Sequence, residues 1–460
     1  MVMNTSKRTF NILPWLVWGL GAAFFFTQYL ARVVPSVLTV QLAHTFSANA
    51  FALGSLSAFF YYAYIPMQIP AGILVDRFGS VKLLIMATLV ATCGCLLFAV
   101  TTNIYLAELS RFLIGFGGAF GFVCTIKIAS LWFPKKYFGF LTSITQASGM
   151  LGAICGTVVI SSLVEKMPWQ NAIIIISIMF AAIGFAIFFI TKKFSYAAKK
   201  RCRAAQIHTQ ITKQKTSIIR SFRTVMQNPQ SWFNVIYVAA LYAPIAAFCE
   251  FWGTSYLHNV YNVSVKHAAF GVSLVFLGWL IGAPLMGYIS DKIGRRRPVM
   301  IASAFGSLTF LGLILYSPNL PLIDIFIFLF LLGMANAGVA ISYAIAGEMN
   351  PSFASGTSIA LANMASVALG SLAQPLIGWL LDARWSGNIA NGMHHYSPEN
   401  FRSAMSILFI FMTIACVAVF FIKETFCQNV DSIEIIEKIP LTNDTIPAIN
   451  EPCYSEVSND

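Results

Sequence analysis

The sequence predicts an all-α membrane protein: 12 transmembrane helices in two pseudo-symmetric six-helix bundles. Three observations carry that prediction. Of 460 residues, 58% are apolar and only 10% charged, with a mean hydropathy of +0.74, whereas soluble chains carry about 25% charged residues. At about 20 apolar residues per crossing, that supply suffices for about a dozen spans and leaves no large soluble domain. The apolar stretches are continuous rather than alternating, which excludes a transmembrane β-barrel, and one loop motif occurs twice.

In order, the apolar runs place helices over residues 13–38, 52–75, 83–100, 104–131, 138–164, 169–190, 232–257, 270–289, 299–316, 323–346, 355–381 and 404–422. The first follows Lys7 and Arg8 but is too long for a signal-peptide core and lacks a cleavage site, so it reads as a span. Several runs exceed 20 residues, so tilt is expected. The nine cysteines fall mostly within apolar stretches and read as small core hydrophobes rather than disulfide or metal ligands.

Orientation follows from the basic residues. Lys192, Lys193, Lys199, Lys200, Arg201, Arg203, Lys213, Lys215, Arg220 and Arg223 lie between the sixth and seventh runs, in a stretch without acidic residues. Arg77 and Lys82 follow the second run, Lys135 and Lys136 the fourth, and Lys292 with Arg295, Arg296 and Arg297 the eighth. These are all even-numbered connections, so both termini are expected in the cytoplasm. The net charge of +12 is thereby read as a membrane anchor, with no nucleic-acid partner. The expected organisation is a cytoplasmic N-terminus (1–12), a first bundle (13–190), a basic loop (191–231), a second bundle (232–422) and an acidic tail (423–460). From Glu424 onward that tail carries eight acidic residues and Lys438, and is expected to be disordered.

The repeat is the sharpest signal. Gly72, Asp76, Arg77 and Gly79 recur as Gly287, Asp291, Lys292 and Gly294 at an offset of 215, with Arg295 following the second copy, and Gly139 and Gln146 recur as Gly356 and Asn363 at 217. Two homologous halves that rock about a central site are the recurring plan of secondary transporters. On these residues the chain resembles the major facilitator superfamily over nearly all of 10–425. The resemblance implies that the motif aspartates latch the halves in the outward-facing state. In the first copy Ser80 and Val81 stand where basic residues often follow, which implies a weaker latch there. Arg111, Gly115, Gly117 and Gly118 are similar to the family motif whose buried arginine is linked to proton coupling, although its usual glutamine is missing. Gly149, Gly152 and Gly156 resemble the glycine-rich motif of exporters without the proline of drug antiporters, and such spacings also serve close helix packing.

Charges inside spans are expensive, at least about 2.5–3.5 kcal/mol on insertion scales, and are functional candidates by default. Gln28, Arg32, Ser36 and Thr39 are spaced for one helical face, expected to line the cavity beside Tyr29. Arg32 offers a bidentate fork for an anionic substrate, and the Tyr29–Arg32 arrangement resembles organic-anion members of the family. The repeat offset applied to Arg32 lands at 247–249, so Glu250 is expected opposite it, with its protonation releasing Arg32 as the basis of proton coupling. Lys127 is read as either snorkelling or lining the cavity, and Glu108 and Arg111 as a coupling pair or a mutual neutralisation. Gln146, Tyr242, Asn336, Tyr343, Asn363 and Gln374 complete a set suited to a polar substrate.

No phosphate loop, nucleophile constellation or metal-ligand spacing is present, the adjacent His394 and His395 included, so no enzyme activity, cofactor or metal is expected. The reading is a secondary active transporter of a small hydrophilic organic solute such as an amino acid, small peptide or carboxylate, coupled to protons, in a bacterial inner membrane, as a monomer or loose dimer. At sub-family level it looks like bacterial importers related to amino-acid carriers of intracellular pathogens and to lysosomal dipeptide carriers. The competing readings are a proton-driven exporter of drugs or siderophores and a non-transporting receptor or scaffold.

Overall fold

A computed structural model describes residues 12–134, 137–193, 218–317, 320–387, 389–390 and 393–431. Among them are 12 helices long and apolar enough to cross a membrane: Leu13–Val37, Ala50–Phe78, Ser80–Val100, Ile104–Trp132, Phe138–Val164, Trp169–Lys192, Pro229–Tyr261, Val265–Ile293, Arg297–Tyr316, Leu322–Glu348, Ser355–Ala383 and Pro398–Phe421. They are spans 1 to 12 below.

Several run past the hydropathy limits because a helix extends to its caps rather than to its last apolar residue. Span 2 continues through the loop motif to Gly79 (φ +88°), and span 8 to Gly294 (φ +67°), backbone that favours glycine. Spans 7 and 12 begin at Pro229 and Pro398, behind the capping side chains of Asn228 and Ser397.

Span 1 packs on spans 4 and 5, span 2 on span 4, and span 8 on span 10; the halves meet along two seams, span 2 against 11 and span 5 against 8, with spans 1 and 7 between them. Small residues let the backbones close. A Cβ at Gly152 would lie 2.1 Å from the Phe26 carbonyl oxygen, and one at Gly156 would lie 2.9 Å from that of Leu30. Packing therefore accounts for the glycine row of span 5.

Two expectations about the connections change. The basic loop of 191–231 contains a helix, Ile218–Gln227, as well as the start of span 7. The acidic tail begins as an attached segment: Glu424 accepts the backbone N–H groups of Arg296 (2.8 Å) and Arg297 (2.9 Å), and Asp431 accepts that of Ser352 (2.8 Å). Glu424 thus satisfies the N-terminus of span 9 and Asp431 the turn before span 11, which composition alone does not reveal. A two-stranded ribbon, Ile389–Ala390 with Met393–His394, joins spans 11 and 12. Lys7, Arg8, Lys135, Lys136, the loop from 194 to 217 and the tail from 432 onward lie outside the described residues.

Candidate functional site

The centre is built from broken helices. The α-helix of span 1 stops at Val33, and a 3-10 turn over Val34–Val37 carries Pro35. A proline there removes the N–H that would bond the Ala31 carbonyl. Arg111 of span 4 fills that place, donating from Nη1 to the Ala31 oxygen (2.8 Å) and from Nη2 to the Arg32 oxygen (3.1 Å). In a bilayer a freed carbonyl needs such a partner. Arg111 thus clamps the break beside Arg32 rather than neutralising Glu108, which sits half-buried near the start of span 4.

Span 7 breaks in a different way. After Pro244 it runs as a π-helix over Pro244–Trp252, a form concentrated at functional sites. Asn336 Nδ2 donates to the Leu241 carbonyl (2.6 Å), and Gln374 Nε2 to that of Ala246 (2.6 Å). These two amides hold the widened turn. The π segment delivers Glu250 to the interface between halves, where its Oε2 accepts from Arg32 Nε at 2.8 Å, both side chains being 1% exposed. Arg32 Nε also reaches Tyr61 Oη at 3.0 Å, and Tyr242 Oη donates to Glu250 Oε1 at 3.3 Å.

Aromatic rings surround the guanidinium: its carbon stands 4.9 Å from the centroid of Tyr29, 4.7 Å from Tyr61, and 5.9 Å from both Phe60 and Tyr64. Cation–π attraction strengthens when water is excluded. Arg32 Nη2 has no hydrogen-bond partner among the described residues. The site therefore holds one buried ion pair and an unused donor, Nη2, among four tyrosines, Tyr29, Tyr61, Tyr64 and Tyr242, of spans 1, 2 and 7.

The other candidates divide into two groups. Tyr343 donates to Ser366 Oγ (3.1 Å), and Asn363 Nδ2 to Gln68 Oε1 across the halves (3.3 Å); both are part-buried and lie on the motif side of Glu250. Gln146 is half-buried on span 5. Gln28 departs from the cavity-lining expectation: it is fully buried against Gly118 of span 4, because the absent side chain at 118 opens a slot there. Of the two readings of Lys127, the structure follows snorkelling rather than cavity lining: its Nζ pairs with Asp76 Oδ1 at 2.8 Å, at the motif end of the first half. The register expected for Gln28, Arg32, Ser36 and Thr39 does not survive as one face either, because the Pro35 break intervenes before Thr39.

At the motif end of the second half, Arg296 is the hub. Its Nη1 contacts Asp291 Oδ1 (2.5 Å) and Ser290 Oγ (3.0 Å), and its Nη2 contacts Glu348 Oε1 (2.7 Å). Thr425 Oγ1 donates to the other oxygen of Glu348 (2.5 Å). Burial lowers the Arg296 pKa, but the hydrogen bonds it donates to Glu348 and Asp291 outweigh it and leave the guanidinium above its ordinary value. Among the described residues no side-chain ion pair joins Arg77, Lys292 or Arg295 to this network; Arg295 meets Ser290 through its backbone.

Sequence reasoning missed Tyr61, Tyr64, Gln68, Arg296 and Glu348. Tyr61 and Tyr64 had a usable signal, two hydroxyls three residues apart on one helix face, with Gln68 one turn further along the same face.

The sequence profile of the Major Facilitator Superfamily matches residues 20–276 and 255–433. The chain is 25% identical over 316 residues to a probable sulfoacetate transporter, SauU, of Cupriavidus necator (65% of this chain, 69% of that one). It is 26% identical over 402 residues to the cis,cis-muconate transport protein of Acinetobacter baylyi (83% and 91%). The inward-facing, unoccupied structure of a bacterial homologue of the human lysosomal transporter Spinster superposes with a TM-score of 0.71 at 16% identity, covering 90% of this chain and 97% of that one. That likeness is one of fold.

Proposed function

We propose that this chain, which belongs to the major facilitator superfamily, is a proton-coupled secondary transporter of a small organic anion. The observation that carries the reading is the buried Arg32–Glu250 pair between the halves, with Arg32 Nη2 unused. A substrate carboxylate or sulfonate can take that donor and then compete with Glu250 for the fork, a geometry that suits bidentate anions. When Glu250 is protonated it releases Arg32; when it is ionised it reclaims it. Binding of anion and of proton then favour one another, which is the requirement for symport.

Two relatives are named for organic anions, sulfoacetate and muconate, and that favours an acid over an amino acid or dipeptide. Tyr29, Tyr242 and Tyr343 supply hydroxyls for the rest of the solute, with Asn363 and Gln146 nearer the motif end. Arg111 positions Arg32 through the carbonyls it holds. Asp76 and Asp291 belong to the gating loops, which with both termini are assigned to the cytoplasmic side of a plasma membrane by the even-numbered basic connections.

The test is flux into proteoliposomes. An inward proton gradient should drive accumulation of dicarboxylates, sugar acids or sulfonates, and Arg32→Ala should abolish binding. Glu250→Gln should lose driven accumulation while keeping counterflow; driven uptake at wild-type rate in that variant refutes the coupling role.

A further inference from the structure

The two ends of the molecule are unequal. Among the described residues, a Cβ at Gly72, Gly139, Gly287 or Gly356, all toward the motif loops, would meet nothing within 4 Å. At the opposite end the backbones almost touch: a Cβ at Gly378 would lie 2.3 Å from the Ala50 oxygen, and one at Gly54 would lie 2.5 Å from that of Gln374. Span 2 of one half and span 11 of the other are pressed together there.

Span 2 begins at Ala50, where helix geometry leaves unpaired N–H groups. Its own cap, Asn49, accepts only from Ala52 (3.0 Å). The Ala50 and Phe51 N–H groups go instead to Asp382, the penultimate residue of span 11: Oδ1 accepts from Ala50 at 3.2 Å and Oδ2 from Phe51 at 2.8 Å. A carboxylate astride a helix N-terminus meets both the donors and the positive end of the dipole. Tyr396, beyond the ribbon, donates its hydroxyl to Asp382 Oδ1 and accepts from Ala50 N–H at 3.2 Å. His394 Nδ1 lies 3.8 Å from the same carboxylate oxygen, and its ring stacks on Trp385 at 3.6 Å.

The second seam has no such device at the matching place. Adding the repeat offset of 215 to Ala50 gives Val265, the first residue of span 8, which is capped by its own neighbour Ser264, whose Oγ accepts from His267 N–H (3.3 Å). Subtracting 217, the offset that relates spans 5 and 11, from Asp382 gives Glu165, which is exposed and, among the described residues, caps no N–H group at the start of span 8.

We infer that Asp382 is the gating residue of this end: it fastens the halves by capping span 2 from span 11, and opening there requires that cap to be given up. This rests on the alternating-access reading but is tested without transport. Tyr396 is a positioning residue that holds the carboxylate on the helix end. Outward opening is therefore resisted at the span 2/11 seam by a cap that the span 5/8 seam lacks among the described residues.

Hydrogen–deuterium exchange of the full-length protein in nanodiscs is the test. With Asp382→Ala, amides of residues 50–52 should exchange about tenfold or more faster, the scale of one hydrogen bond to a charged group. Residues 253–261, the end of span 7, whose Ser255 hydroxyl meets that of Thr39 just beyond span 1 (2.8 Å), should also speed up as the end opens. Residues 265–270 of span 8 serve as the reference for overall destabilisation and should change least. Tyr396→Phe should give the same pattern weakly, and covers the case in which the alanine variant does not fold. Faster exchange confined to 50–52 means a local cap and overturns the gate, as does no change at all. A loosened seam in a protein that moves no organic anion would retain the gate and refute the transported solute.

Discussion

Two ion pairs in this protein have the same length and opposite surroundings. Arg32–Glu250 and Lys127–Asp76 are each 2.8 Å, but the first is 1% exposed on both sides while the second is 28% and 42% exposed. Length alone says nothing about their worth. A buried pair costs several kcal/mol per ion to desolvate, and breaking it strands a charge, whereas an exposed pair contributes about 0–1 kcal/mol and is screened by salt. Between them lies Arg296 with Glu348, at 11% and 15% exposure.

That gradient sets the order of the expected effects. Arg32→Ala or Glu250→Ala alone should destabilise the protein by about 3–5 kcal/mol, read by denaturant or thermal unfolding, and removing both partners together should recover most of the loss. Single variants that melt with wild type would show that the centre is wet and the comparison wrong. Arg296→Ala, which strands Glu348 and Asp291, should cost about 1–3 kcal/mol, and Arg296→Lys should not rescue it because one ammonium cannot span the two carboxylates. The raised pKa of Arg296 has a sign that can be checked. Its contribution is complete below the ordinary arginine range and is lost only as pH rises through the higher folded value, so the stability difference between wild type and Arg296→Ala should stay the same from neutral pH to about 10. The smallest change belongs to Lys127→Ala or Asp76→Asn, at about 0–1 kcal/mol, shrinking further in high salt. A large loss there would give the exposed pair a weight that its surroundings do not explain.

The same contrast separates the two copies of the loop motif. Both present an aspartate at a helix end, yet the second is answered by Arg296, a basic residue of the loop itself, and the first by Lys127 from span 4. At the place matching Arg296, the offset of 215 gives Val81. The first copy has no arginine at that place, and Lys127, five residues from the end of span 4, reaches Asp76 instead. A sequence motif records where the aspartate stands, not which cation will meet it.

Much of the architecture was legible because hydrophobicity in a bilayer is a strong and local signal. Twelve continuous apolar runs can do little except cross as helices, and the repeat divides them into two halves. The offset also pointed from Arg32 toward Glu250, since duplicated halves put equivalent positions across the axis from each other. Less legible were the helix ends, which follow Asn228, Ser397, Gly79 and Gly294 rather than hydropathy. Gln28 shared a spacing with Arg32 but turned into the slot at Gly118, because a helical face facing the partner half and one facing its own bundle look alike in sequence. The residues of the first tail segment read as solvated acids, yet Glu424 and Asp431 are held by backbone donors at the starts of other segments.

By itself the sequence determined the span count, the duplication and the identity of the few charges that the membrane makes costly, because each of these is set by composition or by spacing along one chain. Tertiary structure alone decided which partner each charge received. Pro35 frees the carbonyls that Arg111 takes, a π turn after Pro244 swings Glu250 onto Arg32, and Gly54 and Gly378 let two backbones come near enough for Asp382 to cap span 2. Those pairings join residues tens to hundreds of positions apart, and the energy of a buried charge depends on what packing excludes around it.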